Sequence, residues 1–247
     1  MNHQDQDSER FRHSELHQAA VDFFFLQNHC YPRESALEWV GNRYQLTRIE
    51  RDFLNRGVFS QEAALRRRAK RCAGSSWQEK TLMVDGHNVH ITIESALGGA
   101  LLLLSNDGAL RDLAGRSSRF SLTETSEMAM DLLFSLLDEL RPGKVVFLFD
   151  APLSRSGQMA EGYRQRMKKL GIAGSARAVP VPEREFNYRE CVIASSDRAV
   201  LDASTEWLDL ARWALDAHLS WWPALDFSHL TRTSAQPAPL LGPVHYS

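Results

Sequence analysis

The stretch Thr81-Leu-Met-Val-Asp-Gly-His-Asn88 joins a short apolar run to an aspartate and a glycine. An apolar run of this length, bounded by turn residues, is typical of a buried strand. Two later stretches repeat the arrangement: residues 144–149 precede Asp150, and residues 191–194 precede Ser195-Ser-Asp197. The sequence therefore predicts three strands, each followed at once or within a few residues by an aspartate.

Helical patterns separate these strands. The clearest begins at a Ser121-x-x-Glu124 capping box and runs to Pro142, and two others cover residues 156–170 and 204–223. Weaker strand candidates are residues 101–104 and 176–181. Strands that alternate with helices of this length predict an α/β fold, a Rossmann-like three-layer domain with a mainly parallel sheet. We place this domain at residues 78–227.

The preceding part of the chain has a different pattern. Residues 13–72 contain four segments with apolar side chains at helical spacing, and the third begins with a capping box of Thr47 and Glu50. These four segments predict a small N-terminal helical domain. Its aromatic residues are expected in the core because they fall at helical spacing; they are Phe23, Phe24, Phe25, Trp39 and Tyr44. Residues 1–12 are expected to be disordered, and residues 228–247 to form a flexible tail.

Composition limits the classes of protein to which the chain can belong. Its 247 residues carry a formal net charge of -2, so no global basic field indicates nucleic-acid binding. Three widely separated cysteines favour neither a disulfide framework nor a thiolate zinc site. No apolar run approaches the roughly 20 residues of a membrane helix. We expect a cytoplasmic protein without a membrane segment.

Ligands of an open parallel sheet bind beyond the carboxyl ends of its strands. Asp85, Asp150 and Asp197 map to that edge, where their carboxylates can meet if the three strands are neighbours. Clustered carboxylates repel one another unless a cation or protons neutralise them, and hard oxygen ligands favour Mg²⁺ or Mn²⁺. The alternative for each aspartate is that it caps the following helix.

Further residues could complete such a site. Asn88 could bond Asp85 or a substrate phosphate, and Ser154 and Ser156 stand at a predicted helix start that suits an anion. Asp112 is our candidate for an additional metal ligand. The fourth acidic position stays open among Glu94, Asp107, Asp112 and Asp202.

Other chemistries have weaker support. His87 and His90 have the HxxH spacing of a zinc pair, but no third nitrogen or sulfur ligand is evident. The sequence contains no GxSxG elbow, P-loop or GxGxxG fingerprint, which disfavours a serine hydrolase, a nucleoside triphosphatase and a dinucleotide-dependent oxidoreductase.

Several of these motifs together resemble a known family. They are Met83-Val-Asp-Gly-His-Asn-Val-His-Ile-Thr-Ile-Glu94, Asn106-Asp-Gly-Ala-Leu-Arg-Asp112, Phe149-Asp-Ala-Pro-Leu-Ser-Arg-Ser-Gly157 and Ser195-Ser-Asp197, with Leu37-Glu-Trp-Val-Gly-Asn-Arg-Tyr44 in the helical part. The set is similar to the domain-of-unknown-function 434 family over residues 16–203. The resemblance implies a PIN-like C-terminal domain, and PIN and NYN nucleases use strand-end acids to bind Mg²⁺ or Mn²⁺ and hydrolyse RNA. Asp85, Asp150 and Asp197 carry over as the acids, with Asn88 beside them.

Three functions are therefore to be separated. The first is a metal-dependent nuclease, acting on RNA, in which the basic run Arg66–Arg71 could contact the nucleic-acid backbone. The second is a non-catalytic module that binds RNA or a protein partner, or a second copy of the chain, through the helical domain. The third is a phosphatase for a small phosphorylated molecule, against which the lack of an Asp-x-Asp nucleophile pair counts.

Overall fold

The fold is described from a computed structural model of the chain. It describes residues 3–113, 123–153 and 155–231, with side chains from residue 14 onward. Two compact units are present, and each contains more than one segment of the chain. The helical unit comprises the residues up to Arg68, Leu103–Leu113 and the segment from Leu225; the sheet unit comprises Ala69–Leu102 and the described part of Ala114–Ala224.

The elements follow one another in this order along the chain: α1 His3–Asn28, α2 Arg33–Arg43, α3 Arg48–Gly57, α4 Gln61–Ala69, β1 Thr81–Asp85, α5 Gly86–Leu97, β2 Leu102–Leu104, β3 Leu110–Arg111, α6 Glu124–Leu140, β4 Lys144–Asp150, α7 Ser156–Leu170, β5 Gly174–Val179, β6 Val192–Ala194, α8 Arg198–Ala203, β7 Glu206–Leu208, α9 Leu210–His218 and β8 Ala224–Asp226. Short 3-10 helices lie at Pro182–Arg184 and Ser228–Thr231. The expected mixed α/β class, with a helical N-terminal part, is confirmed.

The four helices α1 to α4 correspond to the four helices predicted from the sequence. Thr47 and Glu50 form the predicted capping box, in which Thr47 Oγ1 accepts the Glu50 N–H and the Glu50 carboxylate accepts the Thr47 N–H at 2.7 Å. Helix α1, however, begins at His3, so the prediction of disorder for residues 1–12 is wrong from His3 onward. Its first turns are rich in Gln, Glu and Arg, which have high helix propensity although they are polar.

A three-stranded sheet in the order β3-β2-β8 completes the helical unit. Leu103 of β2, Leu225 of β8 and Phe227 belong to the same buried cluster as Phe23 and Leu54 of the helices. The predicted strand at residues 101–104 therefore exists, but it contributes to the core of the helical unit.

Two aromatic side chains of the helical unit lie elsewhere than the helical spacing predicted. Phe23 is fully buried, as expected, whereas Phe25 and Trp39 are 56% and 52% exposed. Burial of one helix face is enough to hold α1 and α2 in place, and these two residues lie outside that face. The prediction that they are core residues is wrong.

The sheet unit contains five parallel strands in the order β5-β4-β1-β6-β7, flanked by helices. Strand β1 is central: Asp85 is in register with Leu148 of β4, and Val84 with Ala194 of β6. Helix α5 follows β1 without a linker because its first residue is Gly86. A Cβ at Gly86 would lie 2.4 Å from the Phe149 ring, so only glycine fits at this position.

Two helix boundaries differ from the prediction. The capping side chain of α6 is Thr123, which accepts the Ser126 N–H at 3.1 Å, and Ser121 lies outside the described residues. The predicted helix at residues 204–223 is in fact strand β7 followed by α9, because Asp209 caps a helix that begins only at Leu210. Trp207 is accordingly a buried strand residue.

The predicted tail at residues 228–247 begins in the 3-10 helix Ser228–Thr231, and residues 232–247 lie outside the described part. Among the residues that the structure describes, no helix is both long and apolar enough to cross a membrane.

Candidate functional site

Three neighbouring strands end in polar residues at one edge of the parallel sheet. Asp85 is the last residue of β1, and Asp150 is the last residue of β4. Strand β6 ends at Ala194 and continues into Ser195, Ser196 and Asp197. Because β1 pairs with both β4 and β6, the condition that the three strands are neighbours is confirmed. We call Asp85, Asn88, Asp150 and residues 195–197 the strand-end cluster.

Asp85 is buried, and both of its carboxylate oxygens accept hydrogen bonds. Oδ1 caps helix α5 by accepting the Asn88 N–H at 3.3 Å, and Oδ2 accepts the Ser195 hydroxyl at 3.0 Å. Only 2% of Asp85 is exposed, so these bonds replace water at the carboxylate. Asp85 thus joins the start of α5 to the end of β6.

The side chain of Asn88 is oriented by Ser196. Asn88 Oδ1 accepts the Ser196 N–H at 2.8 Å and the Ser196 hydroxyl at 3.1 Å. A backbone N–H can only donate, so the amide oxygen must be the atom that faces Ser196. The NH₂ group of Asn88 therefore points away from Ser196.

Asp197 caps helix α8. Its Oδ1 accepts the N–H groups of Ala199 and Val200 at 2.8 and 3.2 Å. Burial raises the pKa of the Tyr188 phenol. The negative charges of Glu183, Asp197 and Asp85 raise this pKa further. Asp197 and Asp85 are thus close enough to one phenol to act on it together.

Asp150 has a different environment. Its N–H donates to Nδ1 of His87 at 3.0 Å, and its Oδ2 lies 3.7 Å from the same nitrogen. The Asp150 side chain is 13% exposed, whereas that of His87 is buried. Asp150 is not a helix cap, since the residue at the cap position of α7 is Arg155.

The two histidines of the HxxH spacing do not form a pair of metal ligands. His90 is fully buried, and its ring nitrogens bond the Tyr163 hydroxyl at 2.9 Å and the Ser126 hydroxyl at 2.8 Å. Since both nitrogens already have hydroxyl partners, His90 cannot ligate zinc in this arrangement.

The chain is similar to two protein families of unknown function. A family model described as "Domain of unknown function (DUF5616)" matches residues 75–213, more than half of the chain. The chain belongs to the DUF5616 family. A second model, "Protein of unknown function (DUF434)", matches residues 15–70. The DUF434 resemblance, predicted over residues 16–203, is therefore confirmed for the helical part, and the part that follows matches the DUF5616 model.

A relative matches most of the chain. The "Uncharacterized protein MJ0935" of Methanocaldococcus jannaschii is 30% identical over 186 residues, which cover 75% of this chain and 88% of the relative. No solved structure matches the chain.

The DUF5616 region has donor atoms that suit a divalent cation. Its strand-end cluster offers carboxylate and amide oxygens, the hard donors that Mg²⁺ and Mn²⁺ prefer. Over residues 3–113, 123–153 and 155–231, no group of three or more His, Cys, Asp or Glu side chains is arranged to hold a metal ion. The donor types therefore fit the cation, while two of the three carboxylates, Asp85 and Asp197, are oriented as helix caps.

A fourth strand-end aspartate in the DUF5616 region was missed by the sequence analysis. Asp209 directly follows β7, is 4% exposed, and caps α9 by accepting the Arg212 N–H at 3.3 Å. The prediction placed it inside a helix. The Trp-Leu-Asp order at residues 207–209 was the available signal, because it repeats the apolar run and aspartate of β1 and β4.

The candidates for a fourth ligand have other surroundings. Glu94 of α5 accepts the Thr123 hydroxyl at 3.2 Å, and burial raises the pKa of Glu94. Asp202 is exposed on α8. Asp107 and Asp112 belong to the helical unit, so the strand-end cluster of the DUF5616 region is described without them.

Asp107 is a structural anion of the helical unit. It is fully buried between Arg67, at 3.0 Å, and Arg111, at 2.8 Å. Burial opposes its ionisation, but the guanidinium of Arg111 and then that of Arg67 lower the pKa of Asp107 to about 2. Both guanidinium groups also lie over the Phe59 ring, at 4.3 Å for Arg67 and 5.2 Å for Arg111.

Several side chains of the basic run Arg66–Arg71 form hydrogen bonds or salt bridges inside their own unit. Arg67 pairs with Asp107, and Arg68 donates to the carbonyl oxygens of Asn106 and Ser228 at 2.9 and 2.8 Å. In the sheet unit, Lys70 donates to the Asp202 carbonyl at 2.8 Å. These contacts weaken the hypothesis that the run binds a nucleic-acid backbone.

The two candidate serines near Asp150 differ in what the structure shows of them. Ser156 is the buried first residue of α7, and its hydroxyl bonds the Leu153 carbonyl at 2.6 Å and also reaches the Asp150 carbonyl. Ser154 lies outside the described residues. The Ser156 hydroxyl thus stabilises the loop after β4.

Proposed function

We propose that the strand-end cluster binds Mg²⁺ or Mn²⁺ and hydrolyses phosphodiester bonds, with RNA as the substrate. One observation carries the proposal: Asp150, Asp85 and Asp197 lie at the carboxyl ends of three adjacent parallel strands, in the order β4-β1-β6. Ligands of parallel sheets bind at this edge. The resemblance of the same residues to the acids of PIN-like nucleases supports the choice of reaction and of RNA.

The carboxylates of Asp85, Asp150 and Asp197 would hold the cation. A bound divalent cation supplies an activated water and offsets charge on the scissile phosphate. Asp150 differs from the other two because it caps no helix, and its side chain is 13% exposed. Asp209, found at the end of β7 in the same sheet, is a candidate for an additional carboxylate.

Asn88 would bind the substrate. Its amide oxygen faces Ser196, so the NH₂ group is the part of the side chain that can donate to a phosphate oxygen. Asn88 is partly buried and lies within the first turn of α5, where backbone N–H groups also favour an anion. The chain thus has a donor for the phosphate beside the carboxylates for the cation.

The test is cleavage of labelled RNA and single-stranded DNA oligonucleotides with Mn²⁺, Mg²⁺ or EDTA. Wild-type protein is expected to cut RNA only with a divalent cation. Asp150→Asn is expected to lose more than about 100-fold in rate, since even partners of a metal ligand are worth 10 to 100-fold. Asp131→Asn, which changes an exposed carboxylate on α6, is the matched control and is expected to retain the activity.

Absence of cleavage across both panels, with Asp85→Asn indistinguishable from wild type, would overturn the proposal. A second candidate would then apply: a module that binds RNA or a protein without turnover. The orientation of Asp85 and Asp197 as helix caps favours it. Saturable RNA binding that survives Asp150→Asn, with no product formed, is its expected result.

A further inference from the structure

Two consecutive serines after β6 contact the two polar side chains that follow β1. The first, Ser195, donates its hydroxyl to Asp85 Oδ2 at 3.0 Å and accepts the Asp197 N–H at 3.1 Å. The Asp197 N–H occupies the acceptor side of the hydroxyl, which leaves the single hydroxyl proton for Asp85. Ser195 and Asp85 are 3% and 2% exposed, so this bond forms away from water.

The second serine acts on Asn88. Ser196 approaches Asn88 Oδ1 with both its N–H, at 2.8 Å, and its hydroxyl, at 3.1 Å. Two donors on one oxygen fix the amide in a single orientation, because a flipped amide would set its NH₂ group against the Ser196 N–H. Ser196 itself is buried at 5% exposure.

We propose that Ser195 and Ser196 are positioning residues with separate tasks. Ser195 orients the Asp85 carboxylate toward a divalent cation, and Ser196 orients the Asn88 NH₂ group toward a phosphate oxygen of the substrate. The inference rests on the proposed function, since it concerns the same cluster. Hydrogen bonds of this kind orient metal ligands in general, and their loss weakens metal binding.

The first task is tested by calorimetric titration with Mn²⁺ alone, which needs no catalysis. Ser195→Ala is expected to bind Mn²⁺ about 10 to 100-fold more weakly than wild type. Ser195→Thr keeps a hydroxyl and is expected to stay within about threefold of wild type. Ser204→Ala is the matched control: Ser204 is equally buried, but its hydroxyl bonds the Val200 carbonyl, so Mn²⁺ affinity should not change.

The second task is tested with a phosphorothioate 12-mer of oligouridylate, which resists hydrolysis, at saturating Mn²⁺. Fluorescence anisotropy is expected to show about 3 to 10-fold weaker binding for Ser196→Ala, since one of the two hydrogen bonds to Asn88 remains. The Mn²⁺ affinity of this variant is expected to equal that of wild type. Ser204→Ala is again the matched control, and its affinity for the oligonucleotide is expected to equal that of wild type.

The outcomes separate the inference from the proposed function. Equal Mn²⁺ affinity of Ser195→Ala, Ser204→Ala and wild type overturns the role of Ser195, while wild-type binding still supports the metal site. No Mn²⁺ binding by wild type overturns both. If Ser195→Ala fails to fold, Ser195→Cys replaces it, because a thiol of similar size is a weak donor and should weaken Mn²⁺ binding.

Discussion

His90 shows how a single buried residue can make the stability of this protein depend on pH. It lies between the hydroxyls of Ser126 and Tyr163, both within 2.9 Å of its ring nitrogens. Burial, and then the neighbouring His87, lower the pKa of His90 to about 3. The ring is therefore neutral in the folded protein, with one nitrogen donating and the other accepting.

We expect His90 to destabilise the fold as the pH falls below about 6.5, the ordinary pKa of histidine. Between this pH and about 3, the unfolded chain binds a proton at His90 that the folded chain does not, so stability decreases with decreasing pH. From pH 7 to pH 5 the expected contribution is a loss of about 2 kcal/mol, at 1.36 kcal/mol per pKa unit. Urea denaturation at both pH values measures it.

The variant His90→Gln is expected to be less stable than wild type at pH 7 but to lose this part of the pH dependence. His218→Gln serves as the control, since His218 is exposed at the end of α9 and should leave the pH dependence unchanged. A His90→Gln protein with the full wild-type difference between pH 7 and pH 5 would contradict the assignment to His90.

At the scale of elements, the strand-end aspartates have two separable uses. Asp197 accepts two N–H groups at the start of α8, and Asp85 does the same for one N–H of α5. Capping needs a side-chain oxygen, whereas a cation site needs negative charge, and Asn supplies the first without the second. Substitution by Asn or by Ala therefore distinguishes the two uses.

Without metal, Asp197→Ala is expected to lower the free energy of unfolding by about 1 kcal/mol, within the range of 0.5–2 kcal/mol for loss of a cap. Asp197→Asn is expected to stay within about 0.5 kcal/mol of wild type, because Asn caps as well as Asp. Chemical denaturation in EDTA measures both. An Asn variant as destabilised as the Ala variant would show that the charge of Asp197, and not only its cap, stabilises the fold.

The elements show what the sequence could predict and what it could not. The strands that end at Asp85 and Asp150 were predicted because their apolar runs are long enough to mark a buried strand. Strand β7 has three residues, and Trp207 falls at helical spacing with the apolar residues of α9, so periodicity assigned both to one helix. The Trp-Leu-Asp order is the one feature of the sequence that points to the strand end instead.

The cluster was predictable in composition but not in its internal bonds. Alignment of strand ends implied that Asp85, Asp150 and Asp197 share an edge, as they do. The bond between Ser195 and Asp85 joins residues 110 positions apart, and it depends on strand register and on side-chain orientation. The periodicity of a single segment shows neither which strand is its neighbour nor which way a side chain turns.

At the scale of the molecule, the helical unit is built from three separate segments of the chain. Its helices share a buried cluster with Leu103, Leu225 and Phe227, and the end of α3 approaches two of them closely. A Cβ at Gly57 would lie 2.7 Å from the Phe227 ring and 2.9 Å from Leu103. Polar contacts join the same segments. Asn106 Oδ1 accepts the Phe59 N–H at 2.9 Å, and the Asn106 NH₂ group donates to the Phe59 carbonyl at 2.8 Å.

We therefore expect a fragment of residues 13–72 to lack a cooperative thermal transition, although it holds all four predicted helices. Such a fragment lacks Leu103 and Phe227, which belong to the same buried cluster as Leu54 and Phe23. It also lacks Asp107, so Arg67 would lose the carboxylate with which it forms a salt bridge. Circular dichroism melting of the fragment, compared with the full chain, is the measurement. In the full chain, Leu103→Ala is expected to cost about 2–5 kcal/mol, whereas the control Leu101→Ala, at a position 37% exposed, should cost far less. A fragment that melts sharply would show instead that α1 to α4 form a complete core without the later segments.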